Sequence, residues 1–293
     1  MMLSAHTGAP LLVPRALLSQ LMRLYDYPHP VHSDRVIRGY DRSHAVRTAR
    51  MCAAVATVLG HGAERVRQYQ IACLLHDLGR AGLDRQLFGK IWSWAKERGI
   101  PTRPREWRAI HPETAYGRET EAFLRQYRNE LETDGIAMTP WAEEQVEMRL
   151  GYSRRLARRL RAVRPAIREM GVTWAPWMQQ VMLYYYYPEK LASAKPWLKQ
   201  LAEILVACEQ FEAFNNRRRG RDYYVRKRET SIDAFAYLEK LQHEGILSGE
   251  VMEAVRRLTA QGEFDAIIEE ARGCAFTREE RRALRMIGSY DGS

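Results

Sequence analysis

The sequence predicts an all-α protein, and three observations carry that expectation. Runs alternating with period two are few, Asn-Gly or Asp-Gly hairpin turns between paired strands are missing, and helix starts are well marked. Thr139 precedes Pro140, with Glu143 and Glu144 in the first turn. Ser231 precedes Ile232-Asp233-Ala234, Ser248 precedes Gly249-Glu250-Val251-Met252, and Thr277-Arg278-Glu279-Glu280 has the form of a capping box. The 293 residues are 46% hydrophobic and 28% charged, which argues against a fibrous or wholly disordered chain. No stretch approaches the ~18 uncharged apolar residues of a membrane span.

In chain order, helices are expected at 14–25, 42–59 and 63–78, the last carrying the apolar run Ile71-Ala72-Cys73-Leu74-Leu75. A helix at 84–98 gives way to 99–110, which contains Pro101 and Pro104 and is expected to be loop. The next helix, 112–132, opens on Pro112, and a long one, 140–169, opens on the Thr139-Pro140 cap. In its second half Leu156, Leu160, Val163, Ile167 and Met170 form an apolar stripe among arginines, and Pro165 is expected to bend it. Helices at 175–187, 196–215, 231–243, 248–260, 263–272 and 277–287 complete the chain. The face of the 196–215 helix is set by Ile204, Ala207, Cys208, Phe211 and Phe214. Neither G-x-x-x-x-G-K-[ST] nor G-x-G-x-x-G occurs, so no glycine-rich phosphate loop is expected.

Charge is uneven. The formal net charge is +10, yet Gln145–Met170 and Arg217–Arg228 each carry +6, leaving −2 for the remainder. An anionic partner near these segments is the physical expectation, with the 145–170 stretch also read as a surface for a protein partner or nucleic acid. Cys52, Cys73, Cys208 and Cys274 show no C-x-x-C spacing, and three of them lie in apolar stretches, the pattern of buried free thiols in a reducing compartment. Met1–Pro14 holds no basic leader, so a cytoplasmic location is expected.

The sharpest local signal is Leu74-Leu75-His76-Asp77-Leu78-Gly79-Arg80. An Asp set against an apolar helical run costs free energy unless a cation or hydrogen bonds compensate it. Imidazole nitrogen with carboxylate oxygen suits a divalent metal such as Mn²⁺, Fe²⁺ or Zn²⁺, and Gly79 is expected to end the helix. His44 enters the 42–59 helix in Asp41-Arg42-Ser43-His44-Ala45-Val46-Arg47, and His111 opens His111-Pro112-Glu113.

The order of these motifs resembles the HD superfamily of metal-dependent phosphohydrolases, and most closely its HD-GYP branch, known for hydrolysing cyclic di-GMP. The resemblance runs through His44, His76-Asp77-Leu78-Gly79-Arg80, His111-Pro112-Glu113 and Ile204–Phe214. It implies an HD-domain helical bundle over 36–260, interrupted by an Arg-rich insertion at about 127–175. Helical extensions at 1–35 and 261–293 complete the expected organisation. It also implies one divalent ion (Mn, Fe or Zn) per chain on His44, His76, Asp77 and Glu209. Asp77, Arg80 and His111 are implied as catalytic, and a nucleotide or cyclic dinucleotide as substrate.

The chain also departs from that branch. Where a His-His-Glu and then G-Y-P segment would stand, it has Leu183-Tyr184-Tyr185-Tyr186-Tyr187-Pro188-Glu189-Lys190. The histidines of a second metal are therefore missing, Arg80 replaces a lysine, and Glu209 replaces an aspartate. Periodicity of 204–214 favours Glu212 as the buried carboxylate, while alignment with the family favours Glu209. Arg80, Arg217, Arg218, Tyr185 and Tyr186 are the expected substrate contacts, supplying guanidinium forks, stacking faces and phenol donors. The departures keep a second class of function open: an inactive HD-GYP-like module that senses a nucleotide or binds a protein. A nucleic-acid-binding protein is the third reading.

Overall fold

A computed structural model describes residues 9–30, 32, 34–39, 42–216 and 230–287. Among these residues there are fourteen α-helices, and the sole strands are two residues each, so the all-α expectation holds. Helix α1 (Arg15–Arg23) leads into β1 (Tyr27–Pro28) and β2 (Val36–Ile37), an antiparallel pair with Tyr27 opposite Ile37. Next come α2 (Arg42–Val58), α3 (Ala63–Leu74) and the first of two 3-10 turns among the described residues, Leu78–Arg80, the second being Pro188–Leu191. Helices α4 (Arg85–Glu97), α5 (Pro104–Ile110), α6 (Glu119–Thr133) and α7 (Pro140–Leu150) follow. The rest of the chain forms α8 (Tyr152–Glu169), α9 (Pro176–Leu183), α10 (Pro196–Asn215), α11 (Ser231–His243), α12 (Gly249–Gln261), α13 (Asp265–Arg272) and α14 (Arg278–Ile287).

Two hydrophobic cores organise these helices. The larger is built around α10, whose Leu201, Ala202, Ile204, Leu205, Val206, Ala207, Cys208 and Phe211 are all buried. A helix apolar on nearly every side belongs inside a bundle, and α10 packs against α2, α9, α11, α12 and α13. The second core is tryptophan-rich. Phe88, Trp92, Trp94, Trp107, Phe123 and Val146 fill it, and its members run from Leu83 to Leu150. This second core thus draws on residues on both sides of position 127, where the inserted segment is expected to start. The Arg-rich helix α8 belongs instead to the main core, through Tyr152, Leu156, Leu160, Val163 and Ile167.

Caps explain where several elements start. Asp84 accepts from the Gln86 and Leu87 amides, both at 3.1 Å, and starts α4. Thr277 and Glu280 form the reciprocal bonds of the expected capping box. The cap of α11 is Thr230, one residue before the expected Ser231.

Other boundaries depart from expectation for local reasons. Pro104 sits in the first turn of α5, where its missing N–H costs nothing, so part of the expected 99–110 loop is helix. The expected 112–132 helix begins only at Glu119. The expected 140–169 helix divides at Gly151, whereas α8 runs through Pro165 as one element. The 63–78 helix ends at Leu74, before Gly79, and the 175–187 helix ends at Leu183. His76, Asp77 and the tyrosine run therefore lie in turns rather than on helices. Cys52, Cys73 and Cys208 are buried free thiols, and Cys274 is exposed. No helix among the described residues is long and apolar enough to cross a membrane.

Candidate metal centre

The site forms where α2 begins and α3 ends. His44 is the third residue of α2, and His76 and Asp77 occupy the turn between α3 and the Leu78–Arg80 3-10 turn. One ligand atom from each of these three residues lies within 4.8 Å of the others, and all three residues are buried. The His44 and His76 rings meet edge to face at 5.2 Å. Nε2 of His44 is 4.0 Å from Oδ2 of Asp77.

Both imidazoles are oriented from behind. The last carbonyls of a helix lack intrahelical partners, and the Cys73 carbonyl at the end of α3 takes Nδ1 of His76 at 2.7 Å. A carbonyl only accepts, so Nδ1 carries the proton and the neutral ring keeps its lone pair on Nε2. That Nε2 is buried with no hydrogen-bond partner. His44 is arranged alike: its Nδ1 contacts Oε2 of Glu212, a fully buried carboxylate on α10. A histidine that donates Nδ1–H to a carboxylate or carbonyl offers Nε2 to a metal, the usual arrangement around protein-bound ions. Arg80 Nε donates to Oδ1 of Asp77 at 3.0 Å, and Oδ2 lies 4.0 Å from Nε2 of His44.

Two imidazole nitrogens and a carboxylate oxygen make a borderline donor set suited to Zn²⁺, Fe²⁺ or Mn²⁺. Bonds of about 2.0–2.2 Å put the ligands of one ion roughly 3–4.4 Å apart, so small side-chain movements close this group on an ion. The residues present fit a single divalent metal.

The remaining expected residues distribute differently. Glu209 is buried on α10 outside the three-atom group, and Glu212 on the same helix meets His44. Arg80 reaches the rim, its Nη2 lying 3.4 Å from the Tyr186 hydroxyl. Burial pushes the Tyr186 phenol up in pKa; the Arg80 cation opposes this and the Glu209 carboxylate adds to it. Tyr185 shares a 2.7 Å hydrogen bond with the Tyr237 hydroxyl, under the guanidinium of Arg103. Its pKa is also raised, chiefly by burial. His111 caps α5 in the second lobe, stacked on Trp107 at 4.3 Å with Nδ1 3.6 Å from Glu113. It is not part of the His44–His76–Asp77 group. Arg217 and Arg218 lie outside the described residues.

Three contributors escaped the sequence reading. Arg47 sits one turn after His44, a spacing at which helical side chains share a face, and its Nε donates to Oε1 of Glu212 at 2.7 Å. Asn216 donates to the same oxygen at 3.2 Å. Tyr152, the first residue of α8, donates its hydroxyl to the His76 carbonyl; nothing local in the sequence marks that long-range contact.

The Arg-rich helix is largely committed to internal contacts in its first half. Arg154 pairs with Glu121, and Arg158 with Glu147. The fully buried Arg155 pairs with Glu144 at 2.9 Å and donates to the Ala81 carbonyl at 2.8 Å. Arg161, Arg164 and Arg168 are exposed. Glu121 and Glu144, which lie outside the 145–170 stretch, thus answer two of its six net charges, and Glu147 is already counted within that sum.

Among known proteins, no family model, no curated protein and no solved structure matches the chain.

Proposed function

We propose that the chain is a one-metal phosphohydrolase or phosphodiesterase acting on a nucleotide or cyclic dinucleotide. The observation that carries this reading is the buried His44–His76–Asp77 group, with both Nδ1 atoms engaged behind it. A divalent ion bound there supplies Lewis-acid polarisation of a phosphoryl oxygen and lowers the pKa of a coordinated water.

The chain's own groups then divide the work. His44 and His76 hold the ion through Nε2. Asp77 supplies the anionic ligand, its other oxygen fixed by Arg80. Two neutral imidazoles and one carboxylate leave a divalent ion with residual positive charge, and Arg80 adds a guanidinium at the rim. Such a site favours an anionic substrate over a neutral one. Tyr186 is protonated at neutral pH because burial raises its pKa, so it can donate to a phosphoryl oxygen beside Arg80. The nucleotide preference rests on the basic stretch Arg217–Arg228, which the chain enters directly after Asn216, beside Glu212.

A second reading is supported by Tyr185 and Tyr186, which stand where the resemblance implies second-metal histidines. In that reading the domain binds a nucleotide or a protein without turnover.

The test is elemental analysis of protein purified without chelator and reloaded with Mn²⁺, Fe²⁺ or Zn²⁺, followed by assays on nucleotide and cyclic dinucleotide substrates. About one ion per chain is expected, lost in His76→Ala and Asp77→Ala. Absence of stoichiometric metal refutes the proposal. Metal bound without turnover of any phosphate ester supports the second reading.

A further inference from the structure

A buried ion-pair chain runs from the candidate metal centre to the C-terminal helices. His44 Nδ1 meets Oε2 of Glu212, and Oε1 of Glu212 receives Arg47 through Nε and Nη2, both at 2.7 Å. Nη1 of Arg47 reaches on to Oε1 of Glu270 on α13 at 3.2 Å. Glu212 is fully buried and Arg47 is 5% exposed, whereas the Glu270 side chain is 55% exposed.

A buried ion pair is weak evidence for a stabilising role, because desolvation offsets most of the Coulombic gain, and an apolar pair of similar volume is often as stable. Its geometry, by contrast, is specific. Two nitrogens of one guanidinium fork converge on a single carboxylate oxygen, and Asn216 adds a third donor there. The carboxylate plane is thereby fixed, with its other oxygen directed at His44.

We infer that Arg47 is a positioning residue for the metal centre, acting through Glu212 to hold the His44 ring with Nε2 turned toward Asp77. The inference rests on the metal reading proposed above and extends it: the site draws on a layer of residues behind the ligands, reaching α13 outside the 36–260 region. Loss of such an outer hydrogen-bond partner typically weakens metal affinity 10–100-fold. The Glu270 contact is solvent-exposed, so removing it should matter little.

The deciding experiment titrates the full-length apo protein with Co²⁺, followed by ligand-field absorption, with thermal unfolding of the metal-free protein measured in parallel. Arg47→Met is expected to bind Co²⁺ about 10–100-fold more weakly than wild type, and Glu270→Ala within about 3-fold of wild type. Two double variants separate positioning from packing: Arg47→Met/Glu212→Gln and Arg47→Met/Glu212→Leu. Neither buries a charge, so both remain usable even where Arg47→Met alone does not fold. They differ in whether residue 212 can accept from His44 Nδ1. The Gln variant should bind Co²⁺ at least about 10-fold more tightly than the Leu variant, at similar metal-free stability. Equal affinity of the two double variants, or wild-type affinity in folded Arg47→Met, overturns the inference. Failure of the wild type to bind Co²⁺ overturns the metal reading itself, which distinguishes the two failures.

Discussion

Gly79→Ala tests how the turn after His76 and Asp77 is clamped. The backbone at Gly79 is not left-handed, so alanine brings no conformational strain of its own. A Cβ there would lie 2.6 Å from Cε2 and 2.9 Å from Cζ of Tyr152. Ordinary contact begins near 3.4 Å, so the ring or the turn must move by roughly 0.8 Å. Tyr152 cannot yield freely. It is 1% exposed, its hydroxyl donates to the His76 carbonyl, and its ring stacks on Tyr186 at 4.7 Å. Overpacking of this kind costs about 1–3 kcal/mol, and losing the buried hydrogen bond adds about 1 kcal/mol. Urea unfolding should therefore show Gly79→Ala destabilised by about 2–4 kcal/mol. The decisive control is the cycle with Tyr152→Ala, which by itself should cost about 3–5 kcal/mol as a cavity. In that background the Gly79 methyl enters vacated space, so its cost should fall to about zero. Additive effects, or a Gly79→Ala protein within about 0.5 kcal/mol of wild type, would refute the reasoning.

Further outcomes follow from the same geometry. Glu209→Gln should weaken Co²⁺ binding less than Glu212→Leu, because Glu209 stands outside the ligand group and Glu212 buttresses His44; the reverse order by calorimetric titration would return Glu209 to the ligand set. The triple variant Arg154→Ala/Arg158→Ala/Arg155→Met should lose about 1–3 kcal/mol, dominated by the buried Arg155, which gives up its Glu144 partner and its bond to the Ala81 carbonyl. Replacing exposed Arg161, Arg164 and Arg168 by Ala should stay within about 0.5 kcal/mol, so any loss of nucleic-acid binding in that second triple reports a surface rather than a fold defect. Burial, reinforced by the Glu203 charge, pushes the Tyr184 phenol up to about 12, above the ordinary value of 10.0. Its contribution to stability is complete below about pH 10 and is lost as pH rises from about 10 toward about 12. Tyr184→Phe, which also removes a 3.0 Å bond to the Ile246 carbonyl, should flatten the alkaline decline in urea midpoints; unchanged slopes would contradict it.

The residues legible from sequence are those whose signal is local. A His-Asp pair after an apolar run, a histidine at a helix entry and the central α10 helix all follow from spacing and periodicity, and the structure brings His44, His76 and Asp77 together. The helical wheel of 204–214 also marked Glu212 as the buried carboxylate, and the structure agrees. The expectation of Glu209 as a ligand came from motif order, and Glu209 is buried on the same helix outside the His44–His76–Asp77 group. The second core was not legible, because Phe88 and Trp92 of α4, Trp107 of α5 and Phe123 of α6 meet only in three dimensions.

The Arg-rich helix shows the same limit from the other side. Counted along the chain, α8 reads as charged surface, because seven arginines fall within its 18 residues. In three dimensions its first turn closes over the turn that carries His76 and Asp77: Tyr152 holds the His76 carbonyl and Arg155 holds the Ala81 carbonyl. These two acceptors bracket Asp77 and Arg80, so the turn carrying the ligands is tied at both ends to one helix. Arg155 is in turn paired with Glu144 of α7, which belongs to the tryptophan-rich lobe. The His76–Asp77 turn thus lies where the two cores join, and the arginine that bridges them has no exposed surface. A charge serving this purpose is invisible to composition, because its value depends on a carbonyl 74 residues away.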